Sequence, residues 1–172
     1  MGGAMTSVTK FRRATILLAE DDDDQYELAR QAFEQVKHSG ALVRARDGRE
    51  VLDLLHKCGT CQDHPVDAGC PVLVLLDVRM PVMDGLETLR EIKSHHRLRR
   101  VPVIMLTSSV AEDAMVLAYD IGANSFVRKP FTFEECLRVI AALKAYWMDV
   151  AELPLMARDG ATPGPGGSMT PA

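Results

Sequence analysis

Short apolar runs of strand length alternate along the chain with stretches of helical periodicity, and this alternation limits the possible folds more than any other feature. Each of five apolar runs is followed by a segment in which apolar residues recur every three or four positions. Such a pattern is typical of repeated β–α units, in which helices cover both faces of a parallel sheet. We therefore predict an α/β fold of the form (βα)5. The predicted strands are residues 15–19, 41–45, 72–76, 101–106 and 125–128, and the predicted helices are residues 23–38, 48–57, 85–96, 111–121 and 132–149.

The composition of the five runs predicts the order of the strands. The first, third and fourth runs are apolar nearly throughout, as is typical of strands at the centre of a parallel sheet. Arg44 and Arg46 accompany the second run and Arg128 ends the fifth, so we expect these two strands at the sheet edges. With right-handed crossovers, the simplest order is 2-1-3-4-5, a doubly wound, flavodoxin-like parallel sheet of five strands.

The 172 residues leave room for one domain with short flanking segments. We expect the domain to span residues 13–150, with a flexible segment at 1–12 and a flexible tail rich in proline and glycine at 151–172. No apolar run approaches the roughly 20 residues of a membrane-spanning helix, and no export signal is recognisable, so we expect a cytoplasmic protein. The net charge of −4 argues against nucleic acid as a partner.

Polar residues gather where the predicted strands end. Glu20 and Asp21 follow the first strand, Asp77 the third and Thr107 the fourth, and Lys129 comes just after the fifth. Because parallel strands end at the same edge of a sheet, we expect these side chains to meet near the point where the strand order reverses. At pH 7, three carboxylates so close together repel one another, which either raises the pKa of one of them or recruits a hard divalent cation. We expect Mg²⁺, which binds to a few carboxylates and leaves positions for waters and a phosphoryl oxygen.

An aspartate beside such a cation can accept a phosphoryl group and form an aspartyl phosphate. We predict that Asp77 is this acceptor. Asp21 is expected to bind the metal directly, and Glu20 mainly through water. Thr107 and Lys129 are expected to pair with phosphoryl oxygens.

These residues lie in motifs that resemble those of a known family. The segment Leu76-Asp77-Val78-Arg79-Met80-Pro81-Val82-Met83-Asp84-Gly85, together with Glu20-Asp21-Asp22, Thr107-Ser108 and Lys129-Pro130-Phe131, is similar to the receiver domain of two-component response regulators over about residues 14–149. The resemblance implies that a sensor histidine kinase donates its phosphoryl group to Asp77. It implies that Asp21, Asp77 and the backbone carbonyl of Arg79 hold Mg²⁺. It also implies a cis peptide bond between Lys129 and Pro130.

A narrower resemblance concerns residues 123–126, the long loop before the third strand, Tyr146-Trp147 and residues 152–154. These are similar to the small stand-alone response regulators that partner bacterial phytochromes. The resemblance implies a phytochrome-type kinase as partner, and a homodimer formed through the fourth helix, fifth strand and fifth helix. The fifth helix is apolar on more than one face, which independently indicates a second burial partner. Phe133, Leu137, Ile140 and Ala141 are predicted to cover the sheet, whereas Val139, Leu143, Tyr146, Trp147 and Val150 are predicted to lie elsewhere.

The family resemblance also implies how phosphorylation would be read out. Thr107 is expected to move toward the phosphoryl group while Phe126, at a position where many relatives carry tyrosine, turns inward. Arg79 and Ser109 stand at the two positions that control access of water to the phosphoryl group, and so are expected to tune dephosphorylation.

Parts of the sequence also allow two alternative functions. An aspartate-nucleophile phosphatase acting on external substrates usually carries a general-acid aspartate two residues after the nucleophile, but Arg79 occupies that position. The loop residues Cys58, Cys61, His64 and Cys70 have the side chains of zinc ligands in an unfamiliar spacing, which allows a metal-binding scaffold. We interpret them as solvated loop residues, and Cys136 as part of the core.

Overall fold

The computed structural model describes residues 14–57, 71–108 and 112–155. The predicted flexible segment at 1–12, most of the predicted tail, the loop from Cys58 to Cys70 and Ser109 lie outside the described residues.

Five parallel strands form one sheet in the order β2-β1-β3-β4-β5, which confirms the predicted topology. Every residue of the three central strands is buried, whereas the two edge strands are largely half-buried and carry the arginines that predicted their positions. The strands are β1 (Thr15–Ala19), β2 (Leu42–Ala45), β3 (Val72–Asp77), β4 (Val103–Thr107) and β5 (Ser125–Arg128).

In the part of the chain that the structure describes, five helices connect and follow the strands, and a π-helical turn (Lys144–Met148) continues the last of them. The first helix ends earlier than predicted because Lys37 adopts a left-handed backbone with a φ of 53°, which no helix can continue through. Among the described residues, no helix is both long enough and apolar enough to cross a membrane. The helices are α1 (Asp23–Gln35), α2 (Gly48–Lys57), α3 (Gly85–Ser94), α4 (Glu112–Ile121) and α5 (Phe133–Leu143).

Alternate residues of the central strands pack into two apolar layers on opposite faces of the sheet. In β1, Ile16 and Leu18 join the layer formed with α1 and α5, whereas Leu17 and Ala19 join the layer formed with α2, α3 and α4. Because both faces are covered, the polar ends of the strands are where the sheet can present chemistry. The first layer also contains Ala32, Phe33, Leu73, Leu75, Ile104, Leu106, Cys136 and Ile140, and the second contains Val51, Leu55, Val74, Leu76, Leu89, Ile92, Val103, Met105 and Ala118.

The apolar faces of α5 differ in part from the prediction. Cys136 and Ile140 are buried in the layer with α1, as expected, and Phe133 and Leu137 pack against it. Ala141 was predicted to cover the sheet, but it is exposed because it lies at the edge of the face centred on Ile140. Leu143 and Trp147 were predicted to face elsewhere, but they pack on the same layer as Ile140, whereas Tyr146 and Val150 are exposed.

The chain beyond the last helix returns to the sheet. Leu155 forms an isolated antiparallel bridge with Pro71, which directly precedes β3. The described structure therefore extends past residue 150, where the predicted domain ended.

His38 follows α1 and is a half-buried titratable group whose Nε2 atom has no hydrogen-bond partner among the described residues. Burial is the main cause that holds the pKa of His38 below its ordinary value, and nearby Lys144 lowers it further. The folded state thus favours neutral His38, whereas the unfolded chain takes up the proton at about pH 6.5. As the pH falls below this value the unfolded state binds more protons, so the free energy of unfolding decreases.

We therefore expect the wild-type protein to lose stability, relative to His38→Gln, as the pH falls from about 7.5 to about 5.5. Urea unfolding of both proteins across this range measures the effect, and the difference between them removes the contribution of other titrating groups. Parallel pH profiles for the two proteins would show that His38 does not titrate differently on folding.

Candidate functional site

Three acidic residues meet at the carboxyl ends of β1 and β3. Glu20 and Asp21 directly follow β1, and Asp77 is the last residue of β3. Carboxylate oxygens of all three lie within 4.8 Å of one another. Glu20 is only 2% exposed and Asp77 5%, whereas Asp21 is open to solvent. The cluster is therefore a buried pair of carboxylates with one accessible side, at the edge of the sheet that the sequence predicted.

Lys129 brings a positive charge to the buried pair. Its Nζ lies 2.5 Å from Oε2 of Glu20 and 2.6 Å from Oδ2 of Asp77. The main-chain amide of Lys129 donates to the carbonyl of Thr107 at 2.7 Å, which ties the residue to the end of β4. The ammonium of Lys129, just after β5, thus contacts one residue at the end of β1 and one at the end of β3.

The peptide bond between Lys129 and Pro130 is trans, so the predicted cis bond was wrong for this structure. The trans form is favoured by about 0.5–1 kcal/mol for an X–Pro bond unless its surroundings select cis. Here the ammonium of Lys129 reaches both carboxylates with the bond in the trans form.

Burial and pairing act in opposite directions on the two partners of this ion pair. Burial is the largest effect on Glu20 and raises the pKa of its carboxyl above the ordinary value, despite the hydrogen bond from Lys129. For Lys129, burial favours the neutral amine, but hydrogen bonds to Asp77 and Glu20 outweigh it and raise the pKa of the ammonium. Lys129 therefore remains a cation inside the cluster.

Main-chain amides orient the two buried carboxylates. The amide of Arg79 donates to Oδ1 of Asp77 at 3.2 Å, and the amide of Asp22 donates to Oε1 of Glu20 at 3.1 Å. The side chain of Arg79 is exposed. Both oxygens of Asp77 therefore have a donor, one from the following loop and one from Lys129.

The two residues predicted to respond to phosphorylation lie on neighbouring strands. Thr107 is buried at the end of β4, and it follows Leu106, the partner of Asp77 in the sheet register. Phe126 pairs with Met105 in the register of β5 and is half-buried against the layer formed with α2, α3 and α4. Ser109, predicted to tune dephosphorylation, is outside the described residues.

The donor set of this cluster fits a hard divalent cation. Three carboxylates and one ammonium carry a net formal charge of −2 when all are ionised. Every metal-ligating atom of the cluster is a carboxylate oxygen, the ligand type that Mg²⁺ and Mn²⁺ prefer. A cation bound at the accessible side, next to Asp21, would balance the remaining charge.

Sequence reasoning missed one residue that contacts this region. Arg44, on the edge strand β2, donates hydrogen bonds to the main-chain carbonyls of Glu20 and Asp21. Its charge was interpreted only as the mark of an edge strand. The available signal was its position one residue before the end of a strand expected to lie next to β1.

Comparisons with known proteins agree with this architecture. The model of the response regulator receiver domain matches residues 16–141. Among curated proteins, the probable methanogenesis regulatory protein FilR2 of Methanothrix harundinacea is 38% identical over 135 residues, which cover 77% of this chain and 83% of FilR2. Response regulator Rcp1 of Synechocystis sp. is 30% identical over 139 residues, which cover 81% of this chain and 92% of Rcp1.

Solved structures of response regulators also superpose on most of this chain. The crystal structure of the Mn²⁺-bound form of Rcp1 superposes with a TM-score of 0.71 at 28% identity, covering 82% of this chain and 99% of that one. The crystal structure of the phosphorylated cyanobacterial phytochrome response regulator RcpA gives a TM-score of 0.72 at 30% identity, covering 83% of this chain and 99% of that one.

Proposed function

The chain belongs to the response regulator receiver family, and on that premise we propose that it accepts a phosphoryl group on Asp77 from a sensor histidine kinase and signals through protein–protein contacts. One observation carries the proposal. Asp77 is a buried carboxylate at the end of a central strand, held by the ammonium of Lys129 and the amide of Arg79 beside two further carboxylates. Receiver domains are signalling modules, and we propose no activity beyond phosphotransfer to Asp77 and its autodephosphorylation.

Receiver domains bind Mg²⁺ or Mn²⁺ at an acidic pocket, and Rcp1 has been crystallised in a Mn²⁺-bound form. We propose that Asp21, Asp77 and the backbone carbonyl of Arg79 hold Mg²⁺ in this chain, and that Glu20 acts mainly through water. The exposure of Asp21 and the pairing of Glu20 with Lys129 support this division. The bound cation supplies charge neutralisation at the acceptor and at the phosphoryl oxygens.

The chain's own residues then orient and stabilise the transfer. An oxygen of Asp77 forms a bond to phosphorus as the bond between phosphorus and the kinase histidine nitrogen breaks, and that electron pair returns to the imidazole. Lys129, already 2.6 Å from Oδ2 of Asp77, would pair with a phosphoryl oxygen as negative charge moves onto that group. The Thr107 hydroxyl would donate a hydrogen bond to another phosphoryl oxygen.

We propose that the movement of Thr107 toward this group makes room for Phe126 to turn inward. The half-buried position of Phe126 supports this, because part of its ring still has apolar surface left to bury. Arg79 and Ser109 would control how readily water reaches the phosphoryl group.

A phytochrome-type kinase is the partner that we propose. RcpA is a cyanobacterial phytochrome response regulator, and its superposition on this chain covers 99% of the RcpA chain with a TM-score of 0.72. The kinase would dock where Asp77 is accessible, beside the exposed Asp21 and Arg79.

The direct test of the proposed function is incubation of the full chain with acetyl phosphate and Mg²⁺, followed by intact mass measurement. We expect one phosphoryl group per chain, and no modification when EDTA removes the metal. Phosphotransfer from a purified phytochrome-type kinase, compared with an unrelated histidine kinase, then tests the partner. An unmodified chain with saturating acetyl phosphate and Mg²⁺ would contradict the proposal.

We also propose a homodimer formed through α4, β5 and α5. Apolar side chains on α4 and after α5 are open to solvent, with Val116 51%, Tyr119 50% and Val150 71% exposed. Exposed apolar surface of this kind favours burial against a partner.

Placing a charge on this surface with Val116→Asp is expected to convert a dimer at micromolar concentration into a monomer, because the carboxylate would lose its water in the interface. Light scattering measures the mass. Val82→Asp, at an exposed apolar position after β3, is the control and should remain dimeric. A monomeric wild-type protein, with and without a phosphoryl mimic, would rule out the dimer.

A further inference from the structure

Arg44 connects the edge strand β2 to the loop that carries two of the acidic residues. In the sheet register Arg44 lies opposite Leu18, two residues before Glu20. Its Nε donates to the carbonyl of Glu20 at 3.0 Å, and one terminal nitrogen donates to the carbonyl of Asp21 at 3.1 Å. One planar guanidinium therefore holds two successive peptide units at the end of β1.

The guanidinium is itself held on two sides. Its second terminal nitrogen pairs with Oδ1 of Asp23 at 2.6 Å, and its central carbon lies 4.5 Å from the centre of the Tyr26 ring. The side chain is only 15% exposed. Asp23 and Tyr26 both belong to α1, so Arg44 fixes the loop between β1 and α1 from the strand on one side and the helix on the other.

We propose that Arg44 is a positioning residue for metal binding, one that sets the Glu20 and Asp21 carboxylates by holding the carbonyls of the same two residues. The inference rests on the proposed function, because it concerns the same acidic cluster. Glu20 has a second constraint, the ion pair with Lys129. Asp21 is exposed and has no such pairing with Lys129, so its placement depends on the main chain that Arg44 binds.

A role through charge and a role through positioning predict opposite effects of removing Arg44 on the affinity for a metal ion. If Arg44 acted only through its charge, its removal would strengthen the binding of a cation nearby, because one repulsion is lost. If it acts by positioning, its removal weakens binding, because the loop must then be ordered by the metal itself. The sign of the change in affinity therefore separates the two roles.

The test measures binding of the metal alone to the full chain, with Mg²⁺ by calorimetry and Mn²⁺ by electron paramagnetic resonance. We expect Arg44→Met to bind both ions about tenfold more weakly than wild type, as is common when an outer contact of a metal site is lost. Arg44→Lys keeps the charge, but a lysine ammonium lacks the planar guanidinium donors that hold both carbonyls. We therefore expect this variant also to bind the metal ions more weakly than wild type. Circular dichroism and urea unfolding identify conditions in which each variant is fully folded.

Arg46→Met is the matched control. Arg46 pairs with the same Asp23 oxygen at 3.1 Å, but among the described contacts it donates to neither carbonyl of the loop. Its removal should leave the affinity unchanged or slightly higher. Wild-type affinity in Arg44→Met, or an increase, would overturn the role of Arg44 while the proposed function stands. Failure of the wild-type chain to bind either ion would instead overturn the proposed function.

Discussion

Asp77→Asn is expected to abolish phosphorylation by acetyl phosphate or by a histidine kinase. The side chain keeps its shape, but an amide oxygen does not provide the anionic nucleophile that forms an aspartyl phosphate. Lys129 retains Glu20 as a partner in this variant, so the site should not collapse. Intact mass after incubation with Mg²⁺ and acetyl phosphate measures the loss.

Two further variants test whether the loss of phosphorylation is specific to the acceptor residue. Asp53→Asn removes an exposed carboxylate of α2 and should be phosphorylated like wild type. Asp21→Asn should still be modified, but only at higher Mg²⁺ concentration, because it removes a proposed metal ligand and keeps the acceptor. Equal phosphorylation of Asp77→Asn and wild type would mean that the acceptor is another residue.

Gly85→Ala is expected to have the largest effect on stability among the changes considered. Gly85 is buried at the start of α3, and its amide donates to the carbonyl of Val78 at 2.9 Å. A Cβ atom at Gly85 would lie 2.1 Å from the carbonyl oxygen of Asp77 and 2.9 Å from Cα of Val78. Both atoms belong to the main chain and cannot rotate away, so α3 must move from the end of β3.

Overpacking of this kind costs about 3 kcal/mol, at the upper end of the usual range, because the contact is with backbone. The same movement displaces the Asp77 carbonyl, so phosphorylation should also be slower in the folded fraction. Urea unfolding measures the stability. Arg90→Ala, on the exposed face of the same helix, should change it by no more than about 0.5 kcal/mol. A Gly85→Ala protein as stable as Arg90→Ala would show that α3 can shift without cost.

The topology could be predicted because the apolar pattern is strong where burial is complete. The strands β1, β3 and β4 are continuous apolar runs because both their faces are covered, and the arginines of β2 and β5 are tolerated only at edges. The meeting of Glu20, Asp77 and Lys129 follows from the same topology, since parallel strands end together. These features depend only on the spacing of apolar residues along the chain and on the order of the strands in the sheet.

The features that escaped prediction depend on details of three-dimensional packing. The end of α1 is set by the left-handed Lys37, a conformation that composition does not reveal. Leu143 and Trp147 pack on the core because of how α5 and its π-helical turn lie on the sheet. Arg44 reaches the carbonyls of Glu20 and Asp21 across a strand pair; its position near the end of β2 places it close to them, but the hydrogen bonds themselves depend on how the side chain packs.

Mapping the modified residue shows directly whether Asp77 itself carries the phosphoryl group. Borohydride reduces an aspartyl phosphate to homoserine, so the phosphorylated chain can be reduced, digested and sequenced by mass spectrometry. We expect homoserine at position 77 and at no other aspartate. Homoserine at Asp21 or another aspartate, with Asp77 unchanged, would contradict this assignment.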